Sequence, residues 1–459
     1  MVAVACLAVG ISTGAVAGEP GTAVTFGSAT SAALVPAPLA SFSERTGYSS
    51  VPLTEISGSV PAAGAESLVV TFEPSSSLLY DPPAPGAAPM SVDQVAAAYG
   101  LSGPAYASAE AYFESEGLAV AHSWPDRLSL SLTGSVAAVD RAFSTSIRSG
   151  VFDGGRVTFT GTPPSLPTGL ESEVASVAGL ESGFDRFSLP EVAQPLASVG
   201  SSRPTQNPTD RGTPSIARGL DGVSGLYNLT PSPTYAVGKG IVLLLWGAGY
   251  APNDVQTFFS QDYPAGFPTP NVVAYPVDGA PSPSPNAPND PSNGSREMTL
   301  DLEWSGSMAP GATLDAVYAP AGPASAGYSP TDASMIDALN LAVDSTAIPS
   351  VAAISMSFGS ADGGDATLTT GFETDFSVAA KEQISLFAAT GDLGGDASTG
   401  CAGGPQPDYP SASPQVAAVG GTDVSLDRGV LGAINGFTES AWSDSGGGFS
   451  AQFGAPSWQ

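Results

Sequence analysis

Histidine is almost missing from this sequence: His122 is the only one in 459 residues. A Ser-His-Asp or Cys-His centre built within the C-terminal half is excluded, so proton transfers there would fall to carboxyl groups. Cysteine is nearly as scarce, with Cys6 and Cys401 alone, and together with the single imidazole this disfavours a zinc site. Basic residues are few, 13 Lys and Arg against 43 Asp and Glu, for a formal net charge of −30. Such a chain repels nucleic acid. Charged residues make up only 12%, about half the roughly 25% of an average domain. The surface must therefore rely on Ser, Thr, Asn and backbone, and it has few salt bridges to lose on acidification. No stretch beyond the N-terminus reaches the roughly 18 apolar residues of a membrane-spanning helix.

Hydrophobic residues reach 42% and aromatic residues 8%, enough to fill real cores. The length predicts two folded units with linkers. At about pH 3 most carboxylates with reference values near 4 are protonated, and the net charge turns modestly positive. Work in acid is compatible with this composition, as is life as an acidic secreted protein. The apolar start from Met1 to Gly10 continues to Ala15-Val16-Ala17 before Gly18, a small-x-small cleavage pattern that predicts a signal peptide over 1–17, although it lacks a basic leading segment. The product is expected to be secreted and extracellular. Cys6 would leave with the signal, and Cys401 would then either seek a partner or sit as a buried free thiol.

A Pro/Ala/Ser-rich lead-in covers 18–65, and a small α+β unit is expected over 66–184. Leu68 to Phe72, Leu118 to His122 and Arg127 to Leu132 read as strands. Helices are expected from Ser91, with Val95, Ala98 and Tyr99 on one face, over Ser108 to Gly117, and over Ala137 to Phe143. Residues 185–218 turn to Pro, Ser, Thr, Gln and Asn without hydrophobic period, which reads as an exposed, cleavable linker. From 219 long apolar strands alternate with helices, the mark of a parallel sheet covered on both faces. Strands are predicted at Ile241 to Trp246, Leu314 to Tyr318, Val351 to Met356 and Ile384 to Ala389. Helices are predicted at about Asp254 to Ser260, Arg296 to Met308, Met335 to Val343 and Thr367 to Lys381, with Pro281 to Ser295 a surface loop.

Glu297 and Asp301 lie four apart in Arg296-Glu297-Met298-Thr299-Leu300-Asp301, so on a helix they share one face. Like charges that close raise one pKa and encourage a shared proton. Acidic pairs at this spacing are also common on solvated helices. Asp392, in Thr390-Gly391-Asp392-Leu393-Gly394, ends an apolar strand, where active sites of open α/β sheets lie. A turn aspartate beside glycine is equally at home there on structural grounds.

Taken in order, these pieces resemble the sedolisin family of serine-carboxyl peptidases. The small unit resembles the family's kumamolisin-type prosegment in Ser91 to Gly103, Glu116-Gly117-Leu118, Arg127-Leu128-Ser129 and Val139-Asp140-Arg141-Ala142-Phe143. Gly225-Leu226-Tyr227-Asn228, Ala309-Pro310-Gly311-Ala312, Ser355-Met356-Ser357-Phe358-Gly359, Tyr409-Pro410-Ser411, Val419-Gly420-Gly421-Thr422 and Ser445-Gly446-Gly447-Gly448 continue the series. The resemblance implies an α/β, subtilisin-like parallel-sheet catalytic domain over 219–459, preceded by the small α+β prosegment, which packs on it. It implies Glu297 as the base that takes the proton of a serine nucleophile, Asp301 as its charge-sharing partner, and a protonated Asp392 as donor to the oxyanion. Ser355, Ser357 and Gly359 would line the substrate cleft. Protein or peptide substrates and a calcium ion in the complete domain follow from the same resemblance; no metal site is expected within this chain.

The family's Gly-Thr-Ser nucleophile and its calcium loop lie beyond the Ser-Gly-Gly-Gly block, and this sequence ends at Gln459 shortly after it. Neither Ser425 nor Ser450 is assigned as nucleophile. Cys401 stands where some relatives carry a cysteine bonded to one near the C-terminal end. The domain is therefore expected to be C-terminally incomplete and the chain inactive alone. Three explanations stay open: a reading frame recorded short, a remainder on a separate chain, or a pseudo-enzyme. A secreted binding or inhibitory module is the rival class.

Overall fold

The computed structural model describes residues 55–152, 155–182, 187, 189, 227–229, 232–262, 269–364, 366–395, 407–428 and 434–456. The signal peptide, the lead-in up to 54, all of the linker but two residues, and Cys401 lie outside the described residues.

The N-terminal unit is built on a four-stranded antiparallel sheet in the order β3-β4-β2-β7, formed by β2 (Ala65–Phe72), β3 (Ala119–Ser123), β4 (Ser129–Ser135) and β7 (Val174–Ala178). A smaller sheet orders β1 (Glu55–Ser59), β5 (Ile147–Phe152) and β6 (Gly155–Thr160) as β1-β5-β6. The helices are α1 (Val92–Ala98), α2 (Gly103–Ser115), α3 (Val136–Ala142) and the single turn α4 (Thr168–Glu171). Ser91 opens α1 with a reciprocal box: its hydroxyl accepts from the Gln94 amide at 3.4 Å, and its own amide donates to Gln94 Oε1 at 2.8 Å. Helix α2 begins five residues before the expected Ser108, because Ser102 caps the Ala105 amide at 3.3 Å and proline stands in the first turn.

Strand alternation gives the larger sheet two unlike faces. Leu68, Val70, Phe72, Leu130, Leu132 and Val177 point inward, where they meet Phe113 and Phe143 in the unit's own core. Strand pairing places Thr71 beside Ser129 and Ser176, and Val69 beside Ser131 and Ala178. Val69 and Ala178 belong to the core of the second unit, so this more polar face is a seam between the two.

The second unit carries a parallel sheet in the order β15-β13-β11-β8-β10-β9. Its strands are β8 (Gly240–Trp246), β9 (Asn271–Pro276), β10 (Thr313–Ala319), β11 (Val351–Met356), β13 (Ser385–Ala389) and β15 (Ala417–Val419). All seven residues of β8 are buried, as expected of a central strand covered on both faces. Helices α5 (Pro252–Asp262), α6 (Gly294–Met308), α7 (Asp332–Val343) and α8 (Ala366–Glu382) connect the strands. Short β12 (Ser360–Ala361) and β14 (Asp408–Tyr409) pair, as do β16 (Thr422–Arg428) and β17 (Ile434–Ala441). Helices α7 and α8 are buried almost all round, carrying Asp337, Asn340 and Asp375 inward with their apolar residues. They lie between the parallel sheet and the prosegment sheet, which explains why neither keeps a solvated face.

Candidate active site

The chain leaves β8 toward the β10 side and later crosses to β11 on the other side of β8. Ligand sites of open α/β sheets form at such a reversal, outside the carboxyl ends of the strands. Helix α6 starts against this end. A Cβ on Gly294 would collide with the carbonyl of Trp246, the last residue of β8, so only glycine lets the helix approach that closely.

Asp290 fastens the approach. Its carboxylate accepts from the Ala248 amide at 3.1 Å, the Ser292 amide at 3.0 Å, the Ser292 hydroxyl at 2.7 Å, and the Ser295 amide and hydroxyl at 3.3 and 2.8 Å. The end of β8 and the first turn of α6 are thus tied to one side chain. Burial alone would raise this carboxyl, but the bonds from Ser292, Ser295 and Ala248 outweigh it and hold it below its usual range.

One turn into α6 stands Glu297, 5% exposed, and a further turn on stands Asp301. Burial, then the charges of Asp301 and Asp392, push Glu297 well above the ordinary carboxyl range. Burial pushes Asp301 up to about 7, partly offset by the Ser357 hydroxyl, which donates to Asp301 Oδ1 at 3.1 Å. The other oxygen, Asp301 Oδ2, is enclosed without a hydrogen-bond partner. Desolvation disfavours a second charge here, so the pair is built to keep a proton well above pH 4.

Asp392 follows β13, and its charge reaches Glu297. The turn that holds it is pinned by the Thr390 amide on Val419 O at 3.0 Å, the Gly446 amide on Gly391 O at 3.1 Å and the Gly394 amide on Asp444 O at 2.8 Å. A Cβ on Gly446 would overlap Thr390 O, so the Ser-Gly-Gly-Gly run is a strap laid across the Asp392 turn. Ser355 lies in β11, and Ser357 follows it at the strand's carboxyl end; both are buried. Gly359 abuts Asp408 just before β12.

The structure therefore brings Glu297, Asp301, Asp392 and Ser357 together at the strand ends, with Ser355 and Gly359 on the adjoining segment. Asp290 was read as part of a surface loop, although Asp-Pro-Ser-Asn-Gly-Ser just ahead of a helix is a run of capping residues. Among the described residues, no group of three or more His, Cys, Asp or Glu is placed to hold a metal ion. Among them, too, no helix is long and apolar enough to cross a membrane.

Residues 78–182 match the family model described as Pro-kumamolisin, activation domain. The chain is 29% identical over 380 residues to kumamolisin from Bacillus sp. (strain MN-32), which takes in 79% of this chain and 62% of that protein. It is 26% identical over 370 residues to sedolisin from Pseudomonas sp. (strain 101), across 76% of this chain and 58% of that protein. Across most of its length this chain is thus similar to kumamolisin and sedolisin, and its N-terminal unit to their activation domain. It spans about three fifths of the length of these two sedolisin-family relatives. Among solved structures, Pseudomonas sedolisin, a serine-carboxyl proteinase complexed with pseudo-iodotyrostatin, aligns at TM-score 0.38 and 22% identity, covering 51% of this chain and 64% of that one. Fervidolysin from Fervidobacterium pennivorans, a keratinolytic enzyme related to subtilisin, aligns at TM-score 0.39 and 14% identity, covering 84% and 46%.

Proposed function

We propose that this chain is the prosegment and leading part of the catalytic domain of a secreted serine-carboxyl endopeptidase that cleaves peptide bonds in acid. The observation that carries the reading is the convergence of Glu297, Asp301 and Asp392 at the carboxyl ends of the parallel strands, in a chain that also holds a pro-kumamolisin activation domain. Glu297 takes the proton of a serine hydroxyl, and Asp301 shares the resulting charge while Ser357 holds it in place. Protonated Asp392 donates to the oxyanion of the tetrahedral intermediate. An ionised Asp392 would repel that charge, so activity is confined to acid. Ser355, Ser357 and Gly359 flank the path of the substrate backbone. No residue of this chain is assigned as the nucleophile, and no step is routed through calcium.

The test is cleavage of a protein substrate near pH 3–4 by the longest in-frame product of the same locus. Removal of a general base lowers rates by about 10²–10⁴-fold, and Glu297→Gln is expected to fall in that range. Cleavage undiminished in Glu297→Gln would remove Glu297 from the chemistry. Acid proteolysis by the 459-residue chain itself, abolished in Glu297→Gln, would place the nucleophile within it. The rival reading, a non-catalytic binding or inhibitory module, draws on the prosegment's seam with the second unit, and it gains if neither product cleaves at any pH.

A further inference from the structure

The seam between the two units is made of unusual material. On the prosegment side lie Thr71, Ser129, Ser131 and Ser176, in neighbouring positions on β2, β4 and β7, and the carboxyl of Asp126 just before β4. On the other side lie Asp337 and Asn340 of α7 and Asp375 of α8. All of these side chains are buried, Asp375 fully and Asp126 to 3% exposure. Ser131 donates to Asp337, and the Trp124 indole donates to Ser131 at 2.9 Å. The hydroxyls of Thr71, Ser129 and Ser176, both oxygens of Asp375 and both polar atoms of Asn340 have no hydrogen-bond partner.

Among the described residues, Arg127 lowers Asp126 in part, and Asp126 accepts from the Leu128 amide at 2.9 Å, while no cation acts on Asp337 or Asp375. From the prosegment, Arg127 spends its guanidinium on the carbonyls of Leu101 and Ala96 at 2.6 Å each. Lys381 of α8 reaches back to the carbonyls of Leu78 and Asp81 at 2.8 and 2.7 Å and stands over the Tyr99 ring. His122 is exposed and leans against Trp124, with ring centroids 3.9 Å apart and the planes tilted by 41°. The remaining facing groups are acidic: Asp278 raises Asp337, Asp344 raises Asp126, and Glu382 is itself raised by burial and then by Asp126 and Asp344.

We propose that the α7–α8 surface binds the prosegment sheet in its protonated form, so that docking takes up protons and the two units are clamped in acid and loosened toward neutral pH. A neutral carboxyl can lie unpaired against Ser and Thr hydroxyls in a dry seam, whereas a carboxylate without a cation cannot. Burial pushes Asp126 up to about 6 and Glu382 up to about 7, and it drives Asp337 and Asp375 well above the carboxyl range. For groups raised on docking, the stabilisation is complete below the free value near 4 and is lost as pH rises through the docked values. His122, held below its usual value chiefly by burial, opposes this weakly from the rim. Acid would therefore hold the prosegment in place, and its release in acid would require the chain to be cut.

The experiment uses the whole chain, cut once at a protease site introduced between Gly200 and Ser201, and follows the two pieces by size exclusion at pH 4.5, 6 and 8. Co-elution at pH 4.5 and separation at pH 8, with at least a tenfold loss of affinity, is expected. The Asp126→Asn, Asp337→Asn, Asp375→Asn triple variant should co-elute throughout. Should it fail to fold, Asp375→Asn alone should shrink the pH effect several-fold. Glu297→Gln should leave the profile unchanged, whether or not Glu297 has a part in catalysis. Co-elution at every pH, separation in acid, or an Asn variant that keeps the wild-type profile would overturn the proposal.

Discussion

Two groups of carboxyls are drawn away from solvent in this chain, and they differ in where the fold places them. Glu297, Asp301 and Asp392 stand at the open end of the parallel sheet, supplied by a helix, a strand end and the straps that fix them. Asp126, Asp337 and Asp375 are sealed between two sheets' worth of packing, facing hydroxyls. Burial raises Glu297 and Asp301 in the first group and all three carboxyls of the second. A raised carboxyl is thus no mark of catalysis by itself; convergence at the strand ends separates a reaction centre from a proton-sensitive seam.

The contrast breaks most readily at Glu297. In the active product, Glu297→Gln should cost about 10²–10⁴-fold in kcat, while prosegment docking stays as it was; a loss of docking with it would show that the two groups are one network. Next in size is Asp290→Ala. Removing the acceptor of five hydrogen bonds leaves the start of α6 untied and should destabilise the second unit by about 2–3 kcal/mol, read as a lower urea midpoint. Asp290 also runs opposite to the seam. Its carboxyl is held low, so its contribution is present above the unfolded value near 4 and is lost as pH falls through the folded value. The Asp290→Ala deficit should accordingly shrink in strong acid. The smallest effect is expected from Ser357→Ala, which removes the donor to Asp301 and should raise the Asp301 titration by about one unit, since a bond to a charged group contributes about 1.5 kcal/mol or more. An unmoved Asp301 would show that its environment is set by burial alone.

Much of this was legible in the sequence, for physical reasons. Strands β8, β10, β11 and β13 announce themselves as unbroken apolar runs because both faces are covered, and Glu297 and Asp301 can be placed together by helical spacing alone. Strands β5, β6, β7 and β9 were not anticipated; they are short and interspersed with Ser, Thr, Gly or Pro, so alternation gives little contrast. The hairpin of β16 and β17 was missed in the same way. Alternation puts Ser129 and Ser131 on the face of β4 opposite Leu130 and Leu132, and the second unit buries that face. Asp337 and Asp375 fall within the predicted helices, but their burial depends on the N-terminal sheet that packs against those helices. Local pattern reports which face is polar; only the tertiary partner decides whether a polar face is wet.

The most direct measurement is the titration of Glu297 and Asp301 by ¹³C NMR of the labelled side-chain carboxyls in the intact chain. A buried, proton-sharing pair should titrate above the ordinary range, with Asp301 at about 7, and in Asp301→Asn the Glu297 carboxyl should move down as its neighbour's charge is removed. Two independent titrations near the reference value of about 4, unchanged when either partner is replaced by its amide, would contradict the reading of these residues as a catalytic pair.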